Sequence, residues 1–183
     1  PFSTANSAED IATDGTGAAY ITGWTTSNTG FPGVTTSPSN VNGSHQGPAA
    51  GLSLGGDAFV AKLSPDGQGL EYLTFLGGSQ LDYANSIAVD AAGQAFVTGT
   101  TRSLHTTDSS LFPTTSDAFR ATPQDMVDLQ VANQEAFVVR LNANGTFAYS
   151  TFLGAKQTVG NDIALDPADN EIAYVVGNGA HIL

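Results

Sequence analysis

Residues 87–99 read Ile87-Ala88-Val89-Asp90-Ala91-Ala92-Gly93-Gln94-Ala95-Phe96-Val97-Thr98-Gly99: a β-branched segment, an Asp-to-Gly turn, and a β-branched and aromatic segment that ends in glycine. The same phrase stands at Ile11-Ala12-Thr13-Asp14-Gly15-Thr16-Gly17-Ala18-Ala19-Tyr20-Ile21-Thr22-Gly23. A third copy runs from Asp162-Ile163-Ala164-Leu165-Asp166 through Ala173-Tyr174-Val175-Val176-Gly177. Asp14, Asp90 and Asp166 follow one another at a constant spacing of 76 residues. A fixed period of this length signals a repeat architecture, in which each supersecondary unit buries its faces against its neighbours.

A second unit repeats between these copies. Asp57-Ala58-Phe59-Val60-Ala61-Lys62-Leu63-Ser64-Pro65-Asp66-Gly67 matches Glu135-Ala136-Phe137-Val138-Val139-Arg140-Leu141-Asn142-Ala143-Asn144-Gly145, and each is followed by a Tyr-x-Thr-Phe-Leu-Gly run, at 72–77 and 149–154. One period thus holds four strand candidates: a (11–13), b (18–24), c (58–63) and d (70–76). Their β-branched and aromatic content and the Gly, Pro, Asn and Asp clusters that bound them are strand signals. Helix signals are confined to 116–134, where a turn or two is expected. The a–b and c–d connections are tight hairpin turns of Asp-Gly and Asn-Gly type. The b–c connections, 25–56 and 101–134, are far longer than ordinary hairpin loops. In an antiparallel meander the short turns share one end, and the b–c loops share the other with the d–a crossovers. Insertions gathered on one face mark where binding usually happens.

Four-stranded antiparallel units at fixed period predict an all-β fold of β-propeller blades in one segment spanning 1–183. Two complete four-stranded meanders are expected, blade 1 over 8–78 and blade 2 over 84–155, with half of a third over 161–183, so that the ring is incomplete. A two-sheet β-sandwich is the structural rival.

At these residues the sequence resembles the seven-bladed β-propeller repeat (SBBP) family of bacterial and archaeal exported proteins. The resemblance lies in Asp57–Gly67, in Tyr72-Leu73-Thr74-Phe75-Leu76-Gly77-Gly78 behind it, in the 87–99 phrase, and in Phe112-Pro113-Thr114-Thr115 with Ala118-Phe119, of which Phe31-Pro32 is a partial copy. It implies repeat architecture in an extracellular or cell-surface setting, without characteristic catalytic residues. Asp166-Pro167-Ala168-Asp169-Asn170 departs from the Gly-containing turn of the other copies, and the b–c loops are longer than the family's usual form.

Composition agrees with a solvated, exported chain. Of 183 residues, 17 are acidic and 5 basic, a formal net charge of -12, which argues against a nucleic-acid backbone or an anionic membrane as partner. There is no cysteine, so disulfides and thiolate metal sites are excluded. No apolar run approaches the roughly 20 residues a bilayer requires, and no basic-then-apolar leader opens the sequence, so an export signal is expected outside it.

The candidate functional residues divide by chemistry. Asp14, Asp90 and Asp166, with Asp82 and Asp162 near the d–a crossovers, are the calcium candidates, because equivalent carboxylates on successive blades could line a channel. Turn capping is the preferred reading for Asp14, Asp90 and Asp166, since Asp at the first position of a turn accepts a backbone N–H two residues on. No Asp-x-Asp-x-Asp-Gly series is present, Asp125 and Asp128 add only scattered acids to the second loop, and no cofactor is expected. His45, His105 and His181 are isolated, without metal-ligand spacing. No serine is read as standing in a strand-to-helix nucleophile turn, so no catalytic residue is assigned and the chain is not expected to be an enzyme. Asn42 and Asn144 head Asn-x-Ser/Thr acceptor triplets for glycosylation. The expected function is a noncatalytic extracellular structural or adhesion module that binds a protein or cell-surface glycan through the b–c loops. A subunit that assembles with further copies into a filament or sheath is the alternative, and a propeller hydrolase or lyase with a site at Asp82, His105 and Asp162 is a more distant one.

Overall fold

The computed structural model describes residues 5–27, 56–104, 111–123, 133–169 and 171–179. It is all-β. Among the described residues ten strands run in chain order: β1 (Asn6–Thr13), β2 (Ala19–Thr25), β3 (Asp57–Leu63), β4 (Leu70–Leu76), β5 (Asp82–Val89), β6 (Ala95–Thr101), β7 (Glu135–Leu141), β8 (Phe147–Leu153), β9 (Val159–Leu165) and β10 (Ala173–Asn178). They form two four-stranded sheets, β1-β2-β3-β4 and β5-β6-β7-β8, and a two-stranded sheet of β9 and β10. Every neighbour is antiparallel and the register repeats: Ile11 pairs with Ile21, Ile87 with Val97, and Ile163 with Val175. The sheets are open, each a meander in sequence order.

The first strand of each sheet is longer than the expected 11–13, because pairing continues past a β-bulge, at Ala8/Asp10 in β1 and Ala84/Ser86 in β5. The bulge explains the glycine that closes each repeat phrase. A β-carbon on Gly23 would stand 2.0 Å from the Ser7 carbonyl oxygen, and one on Gly99 would stand 1.9 Å from that of Tyr83. Gly177 is held in the same way, 2.1 Å from the Val159 oxygen. The bulged strand presses its backbone onto a position that only glycine can occupy.

The alternation of side chains decides how the sheets stack. Ala58 and Val60 of β3 face the second sheet and join Tyr20, Tyr72 and Leu76 in a core shared with Ile87, Val97, Phe137, Val139 and Phe152. Tyr20 meets Tyr72 edge-on at 6.3 Å, and Phe112 stacks on Phe137 at 4.5 Å. The opposite face of the first sheet carries Phe59, Ala61, Leu73 and Phe75. Polar contacts tie sheet to sheet: Tyr20 Oη donates to the Gly93 carbonyl at 3.2 Å and Thr74 Oγ1 to that of Gly145 at 2.7 Å. Asn85 Nδ2 donates to the Gly160 carbonyl at 2.8 Å, which links the second sheet to β9.

Of the turn or two expected within 116–134, the described part forms one, closed by Ala118 N on the Thr115 carbonyl at 3.1 Å, and no helix. Residues 111–123 instead lie against the edge of the second sheet: Thr115 N donates to the Ser150 carbonyl and Phe152 N to that of Arg120, each at 3.1 Å. An edge strand leaves a row of unsatisfied backbone groups, and this segment satisfies some of them on β8. Residues 124–132 lie outside the described residues, as do 105–110 and 28–55 of the long connections. Among the described residues, no helix is long and apolar enough to cross a membrane.

Candidate functional site: an open cleft and a buried carboxylate pair

The repeat places Tyr20, Val60, Lys62 and Tyr72 of the first sheet at the positions of Phe96, Val138, Arg140 and Tyr149 of the second. Lys62 lies over the Tyr20 ring at 5.1 Å, and Arg140 over Phe96 at 6.0 Å, so even the cation–aromatic contact is repeated. The two sets end in different surroundings. In the first sheet they are covered by the second, and the β7–β8 turn comes so close that a β-carbon on Gly145 would stand 2.6 Å from the Tyr72 ring. In the second sheet they line a cleft of about 560 Å³ whose far wall is Ala173 and Val175 of β10. Among the described residues, the cleft stands beside a sheet of two strands where the other sheets have four.

The outer faces show the same inequality. Ile87 and Ile163, each tucked beneath the preceding sheet, are 5% exposed, whereas their equivalent Ile11 is 61% exposed. At the far end Tyr174 is 57% exposed, where its equivalent Tyr20 is fully buried.

The repeated aspartates cap their own turns, as preferred from sequence. Asp14 Oδ1 accepts from Thr16 N, Thr16 Oγ1 and Ala18 N, Asp90 Oδ1 from Ala92 N and Gln94 N, and Asp166 Oδ1 from Ala168 N. The Thr16 hydroxyl leads in holding Asp14 down to about 2, and the Ala168 N–H leads in lowering Asp166. The turn glycines adopt the expected positive φ, 68° at Gly67 and 82° at Gly145. It is a different trio at the same 76-residue spacing that meets: Ser86 Oγ lies 2.9 Å from Asp10 Oδ2 and 2.8 Å from Asp162 Oδ1. Asp162 therefore belongs to β9 rather than to a crossover. It stands level with Ser86, four residues along β5 from Asp82, so Asp82 and Asp162 do not converge. Asn144 accepts from the Thr146 hydroxyl at 2.7 Å in the exposed β7–β8 turn. Asn42, His45, His105, His181, Asp125 and Asp128 lie outside the described residues.

Asp82 is the first residue of β5, and it is completely buried together with Asp57, the first residue of β3. Asp82 Oδ2 accepts from Gly78 N at 3.0 Å and Ser103 Oγ at 2.8 Å, while Asp82 Oδ1 and both oxygens of Asp57 accept no hydrogen bond from the described residues. The two carboxyls converge on Gly77, where a β-carbon would stand 2.5 Å from Asp57 Oδ1 and 2.8 Å from Asp82 Oδ2. Burial, and then the neighbouring Asp82, push Asp57 up to about 9; burial also raises Asp82, to about 7, against the hydrogen bonds from Thr101, Gly78 and Ser103. Sequence reading missed Asp57, which stands at the head of a strand phrase and carries no ligand-like spacing. Its one visible signal is an acid at the same place in the next repeat, Glu135. Among the described residues no group of three or more His, Cys, Asp or Glu side chains is placed to hold a metal ion.

Neither a known family model nor a curated protein matches this sequence.

Proposed function

We propose that the chain is a segment of an extracellular β-propeller of the seven-bladed repeat type, a noncatalytic module that presents its long b–c connections to a protein or glycan partner. The observation that supports this reading is the division of the molecule into two ends. Four tight turns, after β1, β3, β5 and β7, close one end, and both long connections and both crossovers leave the other. A rigid end carrying long connections is how repeat folds build binding surfaces. Replacing 28–55 by a short Gly/Ser turn is expected to leave the β circular dichroism spectrum unchanged and to remove binding to glycan arrays and cell surfaces. Retained binding would reject the reading.

Copy-to-copy assembly is a second reading, favoured by the two uncovered faces. Sheet stacks on sheet in one sense through the molecule, so the exposed Tyr174 and Val176 present the kind of surface that elsewhere covers an isoleucine equivalent to Ile11. A head-to-tail contact of this kind closes a ring or extends into a filament. Sedimentation velocity from micromolar to millimolar protein tests it: concentration-dependent association abolished by Ile11→Glu and by Tyr174→Glu supports it, and a monomer throughout rejects it.

A further inference from the structure

The two sheet-to-sheet junctions at the loop-bearing end solve the same geometry with different charges. At the second junction, Glu135 takes the position of Asp57 and Thr158 that of Asp82, and Thr158 Oγ1 accepts from Ala136 N at 3.0 Å. Arg120 sets its guanidinium 3.0 Å from Glu135 Oε2, so one buried acid meets one half-buried cation. The first junction holds two acids. Among the described residues no salt bridge reaches either of them, and three of their four oxygens accept nothing. The long connection in the first repeat, residues 28–55, contains neither lysine nor arginine, so it has no counterpart of Arg120. A buried carboxylate pair without counter-charge is strongly unfavourable unless a cation or a proton joins it.

We propose that a calcium ion bound between Asp57 and Asp82 fills at the first junction the place that Arg120 fills at the second. Among the described residues the free ligand atoms are carboxylate oxygens alone, the choice of a hard cation, and the sequence holds no thiolate to favour a transition metal. Burial selects between the hard cations. Magnesium keeps several waters and demands near-octahedral geometry, whereas calcium accepts irregular oxygen shells. The missing side chain of Gly77 is what lets the two carboxyls come together, since a β-carbon there would stand within 2.8 Å of both. The ion would lock the first sheet to the second beneath the long connections, so the role extends to the loop platform of the proposed function without depending on what that platform binds.

The test uses the intact chain freed of metal with EDTA. Calorimetric titration is expected to show one calcium ion bound, and calcium at about 100-fold over its Kd is expected to raise the melting temperature by roughly 5–10 °C. Asp57→Asn keeps the shape and removes a charge, so it is expected to melt at or above the metal-free parent and to lose the calcium response; Asp82→Asn is expected to lose the response too. No calcium response in the parent, or the same response in both variants, overturns the site. An equal response to magnesium overturns the choice of calcium. A calcium-insensitive parent that His45→Ala destabilises overturns the proposal by assigning the counter-charge to an imidazole.

Discussion

Asp90 Oδ1 takes up two backbone N–H groups, of Ala92 at 2.9 Å and Gln94 at 2.8 Å, in a turn that is 9% exposed at Asp90 itself. Two hydrogen bonds of ordinary net worth set the expectation that Asp90→Ala destabilises by about 1–3 kcal/mol in urea unfolding, and that Asp90→Asn, which keeps an acceptor, loses less. The buried pair makes a prediction of opposite character. Asp57 and Asp82 hold their protons in the metal-free folded protein up to about 9 and about 7, whereas an unfolded aspartate releases its proton near 3.8. The folded state therefore binds more protons between pH 4 and 9, and its stability falls as pH rises through that window. Urea midpoints in EDTA at pH 5, 7 and 9 are expected to decline in that order, and Asp57→Asn to flatten the decline. Asp14, held down to about 2, acts in the other direction: its contribution is present above about pH 4 and is lost in acid.

At the scale of the strand, the bulge and its glycine are one device. Gly99→Ala would place a methyl group 1.9 Å from the Tyr83 carbonyl oxygen, backbone that cannot swing aside as a side chain can. The β5–β6 pair must part, and a loss of about 3 kcal/mol or more is expected, near the large end for single substitutions, read as a lowered denaturant midpoint. Gly15→Ala, where a β-carbon meets nothing within 4 Å, serves as the control and is expected to change stability by less than about 1 kcal/mol. The segment 111–123 shows the limit of reading elements from composition. Its Asp117-Ala118-Phe119 suggested a turn or two of helix, and one turn closes at Thr115–Ala118, but beyond it the hydrogen bonds offered by β8 outweighed local propensity, which is a small term beside unsatisfied edge groups.

Across the whole molecule, identical repeat positions have different fates according to what covers them. Val60 is fully buried between the sheets, and its equivalent Val138 lines the cleft. Val60→Ala is expected to lower stability by about 2–3 kcal/mol and Val138→Ala by less than about 1 kcal/mol, compared by chemical denaturation. Periodicity alone established the four-strand unit, the position of each tight turn and the capping role of Asp14, Asp90 and Asp166, because these rest on interactions within a few residues. Stacking sense, the open cleft, the Asp10–Ser86–Asp162 contact and the Asp57–Asp82 pair were decided only in the tertiary structure. Each joins residues of different repeats, and burial, which sets both the exposure of a valine and the protonation of an aspartate, depends on the neighbouring sheet rather than on the residue's own phrase.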